Sequence, residues 1–327
     1  MKTIMTVAGP IPPTSLGFCH CHEHLAISPG RSSEICPALR IDNPEQTLRE
    51  LRTYRDAEGC GLVDAQPVGC GREATTLSRL SSQSGIHIVA ATGFHKMHFY
   101  PDDHWIFRLD ENELTRLFIE ELTSGMFTDG DRDVPTRKSS IKAGIIKCAF
   151  EKTGLSNQYG KLFNAAASAT LETGAAVMVH IDPGADVIAV ADFYAKKGVA
   201  PERIAFCHMD RTHGELALHR ELAARGIFLE YDTIGRFKYH PDADEARLIA
   251  RMVEKGFGKN ILIGMDATRE RLSSYGGEVG LSYLKERFIP ALFDHGLEES
   301  HITDFTVNNP ARYLAMDKSA ARNNQLT

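Results

Sequence analysis

The chain has 327 residues, a formal net charge of −6, 43% hydrophobic and 24% charged side chains. That is the composition of a globular protein with room for one sizeable core, and it speaks against a nucleic-acid or anionic-membrane partner, since Lys and Arg form no run. The seven cysteines (Cys19, Cys21, Cys36, Cys60, Cys70, Cys148 and Cys207) lie mostly in apolar strand-like runs with no Cys-x-x-Cys pair. They read as free buried thiols rather than disulfides or a zinc cluster.

Residues 1–13 carry one lysine and are broken by Pro10, Pro12 and Pro13, so they lack the apolar stretch of a signal peptide. No apolar run approaches the ~20 residues of a membrane span. A cytoplasmic protein is expected. Short apolar runs then alternate with amphipathic stretches. Strands are expected at 18–24, 61–68, 87–93, 143–149, 175–181, 203–209, 227–231 and 261–266. They are rich in Val and Ile and bounded by Gly, Pro or charge. Helical periodicity marks 73–84, 158–173, 186–197, 214–225, 244–255 and 281–293. The longest irregular segment is 94–110, rich in His, Asp and aromatics. Alternating strands and helices predict a single (β/α)8 TIM-barrel domain over residues 1–327. A doubly wound open sheet fits less well, because its first turn would be Gly-rich and here reads His-Glu-His-Leu.

Working residues of such a barrel sit at the C-terminal strand ends. Polar residues mark five of them: His22, Glu23 and His24 on the first, Lys147 on the fourth, His180 on the fifth, His208 on the sixth and Asp266 on the eighth. Side chains alternate along a strand, so His22 and His24 share a face and Glu23 points away. His20 is expected on the face of His22 and His24 but outside the ligand set, either one step deeper in the barrel or hydrogen-bonded in support of the ligands. Neutral imidazoles and carboxylates suit zinc, manganese, cobalt or iron as divalent ions. Lys147 has no lone pair as an ammonium. Buried and neutral, it could form a Schiff base with a carbonyl or a carbamate with carbon dioxide.

The pieces Leu16-Gly17, His22-Glu23-His24-Leu25, Ile88 to Gly93, Ala143 to Lys147, Val179-His180, Cys207 to Asp210, Gly264-Met265-Asp266 and Asn309-Pro310-Ala311 occur in that order. In this the chain resembles the phosphotriesterase-related family of the amidohydrolase superfamily, from about Thr6 to Leu314. The resemblance implies two divalent metal ions, zinc first among the candidates. His22, His24 and Asp266 would hold the buried one, His180 and His208 the exposed one, and carboxylated Lys147 would bridge them. Hydroxide formed on such a pair attacks the electrophile, and Asp266 is the expected catalytic proton carrier. Asp210 is expected to orient a ligand or relay the proton.

The loops speak to the substrate. His95, Lys96, His98 and His104 lie in loop three, Arg236, Lys238 and His240 in loop seven, Arg269 and Arg271 in loop eight. Several cations at one barrel mouth favour an anionic substrate such as a phosphate. The pattern is similar to the branch that opens phosphorylated sugar lactones. This implies phosphate contacts from Lys238 and Arg269, although the tyrosine expected three places after Arg269 reads Leu272. The expected function is thus a binuclear metal-dependent lactonase acting on an anionic sugar lactone. The alternative is a phosphotriesterase or phosphoester hydrolase with the same centre. A Schiff-base aldolase using Lys147 and a non-catalytic binding barrel are weaker readings. A small-molecule partner, and by analogy with such barrels a homodimer, complete the expectations.

Overall fold

The computed structural model describes residues 2–155, 157–212 and 214–317. Eight parallel strands follow one another around a nearly closed barrel: β1 (Cys19–Glu23), β2 (Gly61–Asp64), β3 (His87–Gly93), β4 (Ile145–Phe150), β5 (Ala176–Ile181), β6 (Ile204–Cys207), β7 (Phe228–Tyr231) and β8 (Ile261–Ile263). All eight expected strands are present. Several are shorter at their C-terminal ends than the apolar runs that announced them. His24, His208 and Asp266 therefore lie just past the ladder, where the backbone is free to turn.

Strand alternation sorts the core. Val89, Ala91, Ala176, Met178, Ala205 and Cys207 fill the barrel interior, while Ile88, Ala90, Val177, Val179 and Phe206 face the helices. With both faces buried, the strands read as near-continuous apolar runs. The many alanines of the inner layer leave width at the mouth for long polar side chains.

The barrel closes between β8 and β1. The Asp266 N–H donates to the His22 carbonyl at 2.9 Å, and the buried Glu23 carboxylate accepts from the N–H groups of Met265 and Ala267, both at 2.9 Å. Gly264 makes this seam possible, since a Cβ there would stand 2.9 Å from the His22 nitrogen. Glu23 does point away from the mouth, and its role is to lock the seam.

His20 departs from the expectation. A register irregularity between His20 and Glu23 breaks the alternation, so Cys21 and His22 both face inward. His20 is carried to the outer face. There its Nδ1 bonds Glu23 at 2.8 Å and its ring packs edge-on against Tyr54. A bulge adds one residue and flips everything before it to the other face.

The helices between strands are α1 (Pro44–Asp56), α2 (Ala74–Ser84), α3 (Glu111–Thr123), α4 (Asn157–Thr173), α5 (Val187–Lys197), α6 (Leu216–Ala224), α7 (Asp242–Glu254) and α8 (Ile289–Asp294). The last is preceded by a π-helical stretch, Leu284–Phe288. Helices α1 and α3 were not among the expected elements, yet both carry start signals. Asn43 caps α1 ahead of Pro44, and Asp110 with Glu113 forms a capping box on α3. The segment 94–110 is less irregular than its composition implies, with helical turns at Met97–Phe99 and Trp105–Arg108. A small antiparallel sheet of Lys2–Thr6, Gly9–Ile11 and Met316–Asp317 closes the opposite end, burying Ile4 against the inner core. Among the described residues, no helix is long and apolar enough to cross a membrane.

Candidate metal centre

Backbone geometry aims the polar strand ends at one point. Lys147 continues the inward set begun by Ile145, and His180 the set of Ala176 and Met178. His208 would face outward if β6 simply continued past inward Cys207. Its φ of +63° turns it back in, and Asp266 has a φ of +44°. Left-handed backbone at a non-glycine residue costs about 1–3 kcal/mol and persists where the surroundings demand it. Here it occurs at two predicted ligands. Beside them, Gly93 lets β3 approach β4 so closely that a Cβ would stand 2.0 Å from the Lys147 carbonyl oxygen.

The structure brings His22, His24, Lys147, His180, His208 and Asp266 together, all buried. His22 Nε2 lies 3.1 Å from Lys147 Nζ and 3.8 Å from Asp266 Oδ1; His24 Nε2 is 3.4 Å from the same oxygen. His208 Nε2 and His180 Nδ1 are 2.7 Å apart. The outer ring nitrogens are committed elsewhere. His208 Nδ1–H donates to Asp232 at 2.6 Å, and His22 Nδ1–H donates to Glu230 at 3.3 Å with the Asp232 carboxylate 2.9 Å away. His180 Nε2–H donates to Asp182 at 2.9 Å, and Lys96 pairs with Asp182 from behind. Each of these protons fixes a tautomer and leaves the inner nitrogen with a lone pair.

Two inner lone pairs therefore face each other across His180 and His208. Repulsion between them is relieved only by positive charge in the gap, so the donor set fits a cation. Burial holds His180 down, to about 3, against the pull of Asp182. Burial and the Arg211 charge likewise hold His208 well below the usual range, so both imidazoles are neutral near pH 7, the form in which an imidazole can bind a metal. His22 is pulled the other way: burial and Lys147 oppose its protonation, but Cys207 and Asp232 outweigh them. Positive charge is favoured at that position as well. Burial opposes ionisation of Asp266, yet Arg236, the His24 hydrogen bond and neighbouring His208 and His22 hold it well below the carboxylate range. Lys147 is buried with no carboxylate ion-paired to it among the described residues, which leaves the amine a candidate for carbamate formation.

Sequence reasoning passed over several groups that complete this centre. Asp232 and Glu230 stand at the end of β7, and Glu230 Oε2 is 3.3 Å from His22 Nδ1. An acidic pair ending an otherwise apolar strand was the signal for them. Arg211 and Arg236 converge on Asp266 Oδ2, at 3.4 and 2.5 Å. Asp210 does not reach the histidines; it accepts from the Thr233 N–H at 2.6 Å and so ties loop seven to loop six. The two expected phosphate contacts separate. Lys238 lies at the mouth, 5.0 Å from the centre of the Tyr239 ring. Arg269 turns outward, donating to the Arg40 carbonyl at 3.0 Å and to Asp42 at 3.2 Å. Its charge is already matched there by a carboxylate.

A model of the phosphotriesterase family matches residues 2–314. A phospho-furanose lactonase of Mycoplasmopsis synoviae is 29% identical over 327 residues, covering 97% of this chain and 93% of the relative. Among solved structures, an amidohydrolase from Mycoplasma synoviae has a TM-score of 0.92 at 28% identity, covering 97% of this chain and 93% of its own. A lactonase from Listeria monocytogenes has a TM-score of 0.88 at 26% identity, covering 97% of this chain and 100% of its own. The chain belongs to the phosphotriesterase family and is a hydrolase.

Proposed function

We propose that this hydrolase is a lactonase with two divalent cations, opening an anionic, phosphorylated sugar lactone. The observation that carries the reading is the pair of ring nitrogens 2.7 Å apart on His180 and His208, each ring bonded from behind to a carboxylate. His180 and His208 would hold one cation. His22, His24 and Asp266 would hold the other, with Lys147 as its carbamate between them. Likeness to a phospho-furanose lactonase and to a structurally characterised lactonase favours a lactone over a phosphotriester.

When bound, the cations supply Lewis acidity, lowering the pKa of water and polarising the carbonyl. The chain supplies the rest. Arg236 and Arg211 hold Asp266 Oδ2, which leaves Oδ1 facing the histidines. Asp266 then takes the proton of the water that adds to the lactone carbonyl. It returns that proton to the ring oxygen as the acyl–oxygen bond breaks, and the product is the hydroxy acid. Lys238, exposed at the mouth, meets the anionic group of the substrate.

The test compares kcat/KM of the metal-replete enzyme for a phosphorylated γ-lactone and an aryl phosphotriester. The lactone is expected to be preferred, and Lys238→Ala to raise KM for phosphorylated lactones only. A preference for the triester, or equal loss on neutral lactones, would overturn the respective parts of the reading.

A further inference from the structure

We propose that Lys96, acting through Asp182, weakens His180 as a ligand and so keeps the cation assigned to His180 and His208 electron-poor. This rests on the two-cation reading above and gives a loop-three side chain a positioning role in it.

The two imidazoles assigned to that cation are backed differently. His208 Nδ1–H donates to Asp232 at 2.6 Å, and among the described residues no lysine or arginine ion-pairs with Asp232. His180 Nε2–H donates to Asp182 Oδ1 at 2.9 Å, and the Lys96 ammonium pairs with that same oxygen. A carboxylate behind an imidazole raises its basicity as a ligand. A carboxylate oxygen shared with an ammonium does so less, because part of its charge is already matched. His180 is thus the weaker donor of the pair, and the cause is one side chain from a different loop.

Lys96 is held in place for this. It lies just past β3, where the Phe94 N–H donates to the Lys147 carbonyl at 2.8 Å. The Lys96 N–H donates to His95 Nδ1 at 2.8 Å, and the Lys96 carbonyl accepts from the Phe99 N–H at 3.0 Å as the turn Met97–Phe99 begins. The Met97 N–H donates to the Tyr159 hydroxyl on α4 at 3.2 Å. The backbone is therefore fixed on both sides of the lysine. Its side chain is 18% exposed and that of Asp182 20%, so water screens this pair less than a surface one. Among the described residues, Asp182 is the one carboxylate that Lys96 ion-pairs with.

The arrangement bears on the reaction. A cation held by one strong and one weak imidazole keeps more of its charge for the lactone carbonyl. It is also held less tightly, so Lys96 trades metal affinity for reactivity.

The experiment follows zinc binding to the full chain by competition with a chromophoric chelator, resolving the two steps, with kcat and KM for a γ-lactone measured at full occupancy. Asp182→Asn identifies the step that depends on His180, which it should weaken about 10- to 100-fold. Lys96→Met keeps the length of the side chain and removes its charge. It should tighten that same step about 3- to 30-fold, leave the other step unchanged, and lower kcat with KM little altered. Lys96→Arg should restore both readouts. In the Asp182→Asn background, Lys96→Met should change nothing, because the carboxylate that carries its effect is gone. A loss of fold would weaken both steps together, so a selective gain in one step separates the two causes. Weaker or unchanged zinc binding in Lys96→Met overturns the inference, as does an effect that persists without the Asp182 carboxylate. Fewer than two zinc ions taken up by wild type would instead sink the two-cation reading, and the inference with it.

Discussion

Asp232 offers the sharpest test of the centre, because one carboxylate serves a proposed ligand of each cation. It stands 2.9 Å from His22 Nδ1 as an ion-pair partner and accepts from His208 Nδ1 at 2.6 Å and from the His208 N–H at 3.2 Å. Burial opposes its charge, but His208 and His22 hold it well below the usual carboxylate range. Asp232→Asn keeps the shape and one acceptor oxygen, and puts an NH2 group where the second oxygen was. One imidazole N–H must then face a donor. A buried charged hydrogen bond contributes about 1.5–3 kcal/mol, which corresponds to a roughly 10- to 100-fold loss of metal affinity. Because both imidazoles depend on Asp232, both binding steps should weaken. The assay is competition with a chromophoric chelator, resolving the two steps, with circular dichroism to confirm the fold. Unchanged affinity in both steps would refute the argument that Asp232 sets the two tautomers. Loss confined to kcat at full occupancy would do so as well.

Two further outcomes follow from buried carboxyls outside the cation set. Glu23→Gln should destabilise the chain by about 2–4 kcal/mol in denaturant unfolding. Glu23 receives the seam N–H groups of Met265 and Ala267 and bonds His20, and an amide supplies only one acceptor. A loss under about 0.5 kcal/mol, the level of an ordinary surface substitution, would mean the seam holds without it. Glu245 on α7 is buried beside Asp210 and His240, its Oε2 4.0 Å from His240 Nε2, and burial together with Asp210 raises its pKa well above the usual value. The native chain therefore keeps this proton after the unfolded chain has released it. Stability is lost as pH rises from the unfolded pKa through the folded one, by about 1.4 kcal/mol per unit in that window. Glu245→Gln should be more stable than wild type at alkaline pH and lose that advantage near pH 4. A stability difference independent of pH would contradict the assignment.

Much of this protein could be read from the chain alone because the relevant physics is local. Apolar runs buried on both faces announce parallel strands wherever they occur, and a histidine, lysine or aspartate ending such a run stands out against its neighbours. Hence His22, His24, Lys147, His180, His208 and Asp266 were all visible. Their partners were not, since Asp232 meets His22 from 210 residues away in sequence, across the closed barrel. Position along β7 says nothing of that meeting. His20 was misplaced because a bulge costs one residue of register and leaves no mark in the alternation. His208 faces inward through a left-handed turn rather than strand parity. Charge in the loops was legible as charge, but not its pairing. Asp42 matches Arg269, while Arg211 and Arg236 crowd one oxygen of Asp266. The residue types thus determined that a cation centre and an anionic substrate are possible. Only the closure of the barrel, by bringing distant loops to one mouth, decided which cations remain unmatched there.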